Sequence, residues 1–136
     1  MRGIPLLSLL AVGACASGGS AGAPGMAEGR LTPCPDSPNC VVSEPGADEK
    51  HAIKAFPLAA WERLPQVVAA EGGEIVQQSD GYIAAVFTTK IMRYKDDVEF
   101  RLDDAAVHVR SASRVGYSDL GANRKRIESL RSLLVE

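Results

Sequence analysis

Apolar and polar positions along this chain alternate in several distinct rhythms, and each rhythm predicts its own element. Residues 4–12, Ile-Pro-Leu-Leu-Ser-Leu-Leu-Ala-Val, form a short apolar run behind Arg2. That length behind a single charge predicts the hydrophobic region of a secretory signal, because a membrane span needs about 20 apolar residues. Residues 16–30 have no apolar period and are mostly Gly, Ala and Ser, which predicts a flexible tether. From Leu58 to Glu71, residues Leu58, Trp61, Leu64, Val68 and Ala69 recur at helical spacing. Gly72-Gly73 supplies the stop, and Pro65 kinks this helix or delays its start. Asp119 to Val135 sets Leu120, Ile127, Leu130 and Leu134 on one stripe, predicting a second helix with Ser118 or Asp119 as its N-cap.

Between the helices the period falls to two. Glu74–Ser79 and Tyr82–Thr89 flank Asp80-Gly81, a pair favoured in the tight turn of a hairpin. A second hairpin is predicted around Asp103-Asp104. A two-residue loop there opposes Leu102 to Ala105, Phe100 to Val107 and Val98 to Val109 on one face. The other face then carries Arg101 opposite Ala106, Glu99 opposite His108 and Asp97 opposite Arg110, so that unlike charges meet on an exposed side. Lys50–Phe56 is a weaker strand candidate, ended by Pro57. The fold predicted is α+β: an antiparallel sheet of four strands in two hairpins, five if Lys50–Phe56 joins it, with two amphipathic helices packed on one face. The chain divides into a signal segment 1–14, a tether 15–30 and one domain 31–136.

Cysteine placement adds a compartment. Val12-Gly13-Ala14-Cys15 resembles the bacterial lipobox, in which cleavage before the cysteine is coupled to acylation of its sulfur. The expectation is an exported protein anchored to a membrane through lipid on Cys15, where several acyl chains at about 0.8 kcal/mol per buried CH₂ hold firmly. Ala16, in place of an inner-membrane-retaining Asp, favours the outer membrane facing the periplasm. The alternative is an ordinary signal cleaved after Ala14 or Ala16, which keeps the export and loses the anchor. Cys34 and Cys40 then remain, with turn-forming residues between them, and read as a disulfide closing a small loop. A Cys-x5-Cys spacing is neither a redox Cys-x-x-Cys nor half of a usual zinc site, and His51 and His108 are the only imidazoles, so no metal or cofactor is predicted.

Aromatic residues make up only 5% of the chain, too few for a base-stacking surface, and nucleic acid is not expected as a partner. The net charge of −2 hides an asymmetry. Residues 110–136 carry six basic against three acidic side chains, whereas 31–109 carry seven against thirteen. Positive charge is therefore concentrated at the C-terminal end.

Three segments in this order resemble the domain-of-unknown-function 1499 family: Cys34–Val41, Asp96–Arg101 and Arg110–Ile127. The resemblance spans nearly the whole domain. It implies a fold and an exported, often lipid-anchored protein, and it brings no defined activity. Residues 90–95, Lys-Ile-Met-Arg-Tyr-Lys, are more basic than the resemblance leads one to expect, which marks that turn as carrying something local.

The third segment also holds the candidate chemistry. Ser111, Ser113 and Arg114 close the last strand, Ser118 and Asp119 open the second helix, and Asn123 and Arg124 follow one turn later. Such a junction gathers hydroxyls, guanidinium groups and free backbone N–H donors. One reading is a binding site for an anionic or carboxylate-bearing envelope ligand, with Arg114 and Arg124 as charge partners and Ser113 and Ser118 as donors. The structural alternative has Ser118 or Asp119 capping the helix, Arg124 paired with Glu128, and Arg114 tied to the acidic strand ends. A third reading is an accessory module docking on an envelope protein through a strand edge or the basic helix face. Catalysis is the weaker class. A hydrolase triad of His108 with Asp97 or Glu99 and a serine is opposed by strand alternation, and Ca²⁺ at Asp96, Asp97 and Glu99 by the ease with which such acids are simply solvated.

Overall fold

The computed structural model describes residues 22–135. The signal segment, Cys15 and the first part of the tether, through residue 21, lie outside the described residues. The elements in chain order are β1 (Met26–Ala27), β2 (Arg30–Leu31), β3 (Cys40–Val42), a 3₁₀ turn (Leu58–Ala60), α1 (Leu64–Ala70), β4 (Glu74–Ser79), β5 (Tyr82–Thr88), β6 (Lys95–Leu102), β7 (Val107–Ser113) and α2 (Ala122–Leu134). β1 and β2 form a small hairpin, and the other five strands make one antiparallel sheet in the order β3-β7-β6-β5-β4. Among the described residues no helix is long and apolar enough to cross a membrane.

Asp80-Gly81 turns the first hairpin as predicted, opposing Ser79 to Tyr82. The second hairpin differs by two residues. Leu102 faces Val107, Phe100 faces Val109 and Glu99 faces Arg110, leaving a four-residue loop. Asp103 sets that loop, its Oδ1 accepting from the N–H groups of Ala105 (2.8 Å) and Ala106 (2.9 Å). These bonds hold the Asp103 carboxyl down at about 2. A shift of two preserves parity, so each side chain keeps the face its alternation predicts.

The Lys50–Phe56 segment is not a strand. Its backbone pairs with the sheet at isolated bridges, Ala52 with Val42 and Phe56 with Val107, while Phe56 packs on Phe100 in the core. The fifth strand is instead β3, directly after the Cys34–Cys40 disulfide, whose Cα atoms stand 5.7 Å apart. The first helix starts late, as Pro65 predicts, with the 3₁₀ turn taking up Leu58–Ala60. α2 starts at Ala122, after Gly121 with a left-handed φ of 80°.

Both helices cover one face of the sheet. Leu64 and Val68 of α1 and Ile127, Leu130 and Leu134 of α2 pack on Ile83, Phe87, Val98, Phe100, Val107 and Val109. Each such residue, fully buried, contributes roughly 1.5–3 kcal/mol. The second face was expected to be exposed, and it is covered. Residues 22–35 and the loop after β3 lie over it, with Leu31, Val42, Tyr82 and Ala84 forming a smaller core. The domain thus begins within the segment predicted as tether, by Gly25, whose N–H donates to Glu99 Oε2 at 3.0 Å.

Candidate functional site

Two loops stand side by side at the end of the sheet where β5 passes into β6 and β7 leaves for α2. The first, Thr89–Tyr94, is closed by Thr89, whose N–H donates to Tyr94 O (2.8 Å) and whose Oγ1 accepts from Tyr94 N (2.8 Å). Arg93 takes a left-handed φ of 58° to complete the turn. The second, Arg114–Gly121, is tied to the first by the Arg114 N–H, which donates to Lys95 O at 3.0 Å. It too contains a left-handed non-glycine residue, Leu120 at φ 53°, a conformation costing roughly 1–2 kcal/mol. The tips expose apolar side chains: Ile91 is 90% exposed, Leu120 86% and Tyr117 70%. Between the loops runs a cleft of about 450 Å³ with Ile91, Met92, Tyr94, Val115 and Leu120 as walls and Asp96, Ser113, Ser118 and Asp119 among its polar lining.

Behind the cleft lies a buried polar network centred on Asn123, which is wholly buried. Its Oδ1 accepts from Ser111 Oγ (2.6 Å) and Arg126 Nη1 (3.1 Å). Its Nδ2 lies within hydrogen-bond distance of Asp119 Oδ2 (2.7 Å), Ser113 Oγ (2.8 Å) and Asn39 O (3.2 Å). Asn39 in turn donates to Gly116 O at 2.8 Å, fastening the disulfide loop to the site. Asp119 does the work of a cap although it precedes Gly121: its Oδ2 accepts from Asn123 N (3.0 Å) and its Oδ1 from Gly121 N (2.8 Å). Partial burial pushes the Asp119 carboxyl up, but the Asn123 and Gly121 donors outweigh it, and the net displacement is downward. Asp96 sits on the floor, 1% exposed. Arg126 Nη2 holds its Oδ2 at 2.7 Å, while its Oδ1 has no hydrogen-bond partner among the described residues.

The predicted guanidinium partners are turned to other tasks. Arg114 grips Asp97 through two bonds of 2.9 and 2.8 Å. Arg124 donates to the carbonyls of Ala52 (3.0 Å) and Lys50 (3.2 Å), and Glu128 pairs with Arg131. The seven predicted residues are therefore gathered at one junction, but divided: Ser113, Ser118 and Asp119 line the cleft, Ser111 and Asn123 buttress it, and Arg114 and Arg124 face away. Asp96, Asn39 and the Ile91–Met92 tip complete the site: the sequence singles out the turn 90–95 without an assigned task, Asp96 only as a Ca²⁺ candidate, and Asn39 not as a site residue. The mixture of cations and apolar residues in 90–95 was the available signal for that tip.

On the opposite face a second cleft of about 370 Å³ joins the incoming chain, Gly22 and Pro24, to Arg110, Arg114 and Gly116. Beneath the cover Glu99 is wholly buried. Its Oε2 accepts from Tyr82 OH (2.6 Å) and Gly25 N. Arg110 stands 3.7 Å from Oε1, an ion pair without hydrogen-bond geometry, and donates through Nε to Thr32 O at 2.8 Å. Burial pushes the Glu99 carboxyl and the Tyr82 phenol up and the Arg110 guanidinium down. Glu44, bidentate to Arg101 and accepting from Leu31 N, pins the covering segment from the side.

His108 faces Arg101 across the strands rather than Glu99, and its ring bonds Asp103 Oδ2 (2.9 Å) and Ser43 Oγ (3.3 Å). Ser43 Oγ also accepts from Val109 N, and this trio lies at the far end of the sheet from both clefts. Asp96 points to the helix side and Asp97 and Glu99 to the covered side, so the three acids do not converge. Among the described residues no group of three or more His, Cys, Asp or Glu is placed to hold a metal ion.

Fold and site define a small α+β domain, a five-stranded antiparallel sheet with helices on one face, a chain segment on the other and a clefted end. The chain belongs to the family described as Protein of unknown function (DUF1499), which matches residues 30–134. Searches of curated proteins and of solved structures return no match to it.

Proposed function

We propose that this protein is an exported envelope lipoprotein, acylated at Cys15, whose domain binds an amphiphilic ligand in the cleft between Thr89–Tyr94 and the β7–α2 loop. The observation that carries the reading is the floor of that cleft. Asp96 lines that cleft beneath walls that are mostly apolar, and its buried Oδ1 has no donor among the described residues. An orphaned buried acceptor is costly, on the order of 1–3 kcal/mol, and a ligand N–H or O–H reaching it would recover that cost while its apolar body shields Ile91, Met92 and Leu120. Asp119 and the hydroxyls of Ser113 and Ser118 supply further hydrogen-bonding positions, and Lys90 lies at the rim for an anionic headgroup. The anionic-ligand reading of residues 111–124 has narrower support, because a ligand would have to displace Asp97 from Arg114 or backbone carbonyls from Arg124. Docking on an envelope protein draws support from the exposed tips and makes the competing outcome.

Native mass spectrometry of the full chain, extracted from its membrane, tests the proposal. The expected result is a non-covalent adduct of lipid-like mass that is lost on Met92→Asp with Leu120→Asp. No adduct, or one unchanged in that variant, would overturn it.

A further inference from the structure

The loop tips that wall the cleft also reach well beyond it, Ile91 being 90% and Leu120 86% exposed. Residues 89–95 carry three exposed cations, Lys90, Arg93 and Lys95, beside exposed Ile91, Met92 and Tyr94, with no acid among them. The neighbouring loop adds Val115, Tyr117 and Leu120. A soluble surface gains nothing from Ile91 and Leu120 held this far out, yet the hydrogen bonds of Thr89 and the left-handed Arg93 and Leu120 fix them there. Apolar tips flanked by Tyr and by Lys or Arg match a bilayer interface, whose acyl boundary accepts the first, whose headgroup level suits the second, and whose anionic surface attracts the third.

The course of the chain points the same way. Gly22 and Pro24 enter the domain beside Arg114 and Gly116, and Ser113 and Gly116 line both this cleft and the one between the tips. Six residues lie between Cys15 and Gly22, so the seven Cα–Cα steps span at most about 25 Å however they are arranged. With Cys15 acylated, the end of the domain nearest the membrane is the end that carries the tips.

We infer that the Ile91–Met92 and Tyr117–Leu120 tips form a bilayer-contact surface, with Lys90, Arg93 and Lys95 engaging anionic headgroups, so that the domain sits oriented on its membrane rather than hanging from it. The inference rests on the acylated-Cys15 reading for its geometry, and the apolar and cationic character of the tips supports it independently.

The test places a nitrobenzoxadiazole label at Leu120→Cys, or at Ala105→Cys on the turn at the opposite end of the sheet, in the full chain mixed with vesicles of phosphatidylethanolamine and phosphatidylglycerol containing a spin-labelled lipid. The Leu120 label is expected to lose several-fold more fluorescence than the Ala105 label, and Lys90→Glu with Arg93→Glu and Lys95→Glu to abolish the difference. Flotation and the mass of the Cys15 peptide report the anchor separately. A chain that floats with equal quenching at both labels overturns the surface, leaves the anchor standing and assigns the tips to a protein partner. A chain without acyl groups whose Leu120 label is still selectively quenched upholds the surface and removes the anchor.

Discussion

Asp119 serves two roles at once, closing the start of α2 and lining the cleft. Its carboxyl ionises below its ordinary value of 3.8 because the donors of Asn123 and Gly121 outweigh the effect of its burial. A carboxylate lowered in this way contributes stability that is present above the unfolded value and is lost as pH falls through the folded one. Asp119→Asn keeps one accepting oxygen but turns the other, which accepts from Gly121 N or from Asn123, into an NH₂ group, and is therefore expected to cost about 1 kcal/mol at pH 7. The difference should vanish in strong acid, as read from urea unfolding of both proteins across the pH range. A deficit that persists unchanged below the Asp119 titration would mean that shape, not charge, is what the helix start needs.

At the scale of elements, the joint between α1 and β4 is set by one missing side chain. A Cβ on Gly73 would lie 2.6 Å from Phe87 Cζ and 2.7 Å from Val68 Cγ1, both in the packed core. Gly73→Ala should destabilise by roughly 1–3 kcal/mol through overpacking, measured by thermal unfolding. Gly72→Ala adds no such clash and strains only a backbone φ of 92°. How much of these elements the sequence discloses depends on how local the deciding contact is. Asp80-Gly81 is a local signal and the first hairpin follows it. The second hairpin turns on Asp103 bonding two N–H groups within its own loop, which displaced the pairing by two without moving any side chain to the wrong face. β3 is three residues long and carries too little pattern to be seen. Tyr82–Phe87 is apolar at every position, the mark of a strand buried on both faces, and that run was the legible sign that the Glu99–Arg110 side is covered. The cover itself, rich in Gly, Ala and Pro, holds the sheet through backbone N–H groups such as Gly25 and Leu31, which composition does not reveal.

For the whole molecule, the sequence named residues that the structure does gather at one junction, but it did not disclose how their charges pair. The positive charge of residues 110–136 does gather at the β7–α2 side, but Arg110, Arg114 and Arg126 are spent on Glu99, Asp97 and Asp96, pairs joined only once the strands are in register and α2 is packed on the sheet. The large side chains left exposed there, Val115, Tyr117 and Leu120, are apolar or aromatic, with Lys125 beside them and Lys90, Arg93 and Lys95 on the neighbouring loop. The proposed envelope location and the geometry of the proposed membrane-facing surface rest on Cys15. Intact mass of the protein extracted from its membrane, before and after reduction, is the most direct test. The reading predicts a chain that begins at an acylated Cys15 and gains two hydrogens on reduction, from the Cys34–Cys40 bond alone. A chain that retains Met1, or one without acyl groups at Cys15, would contradict it.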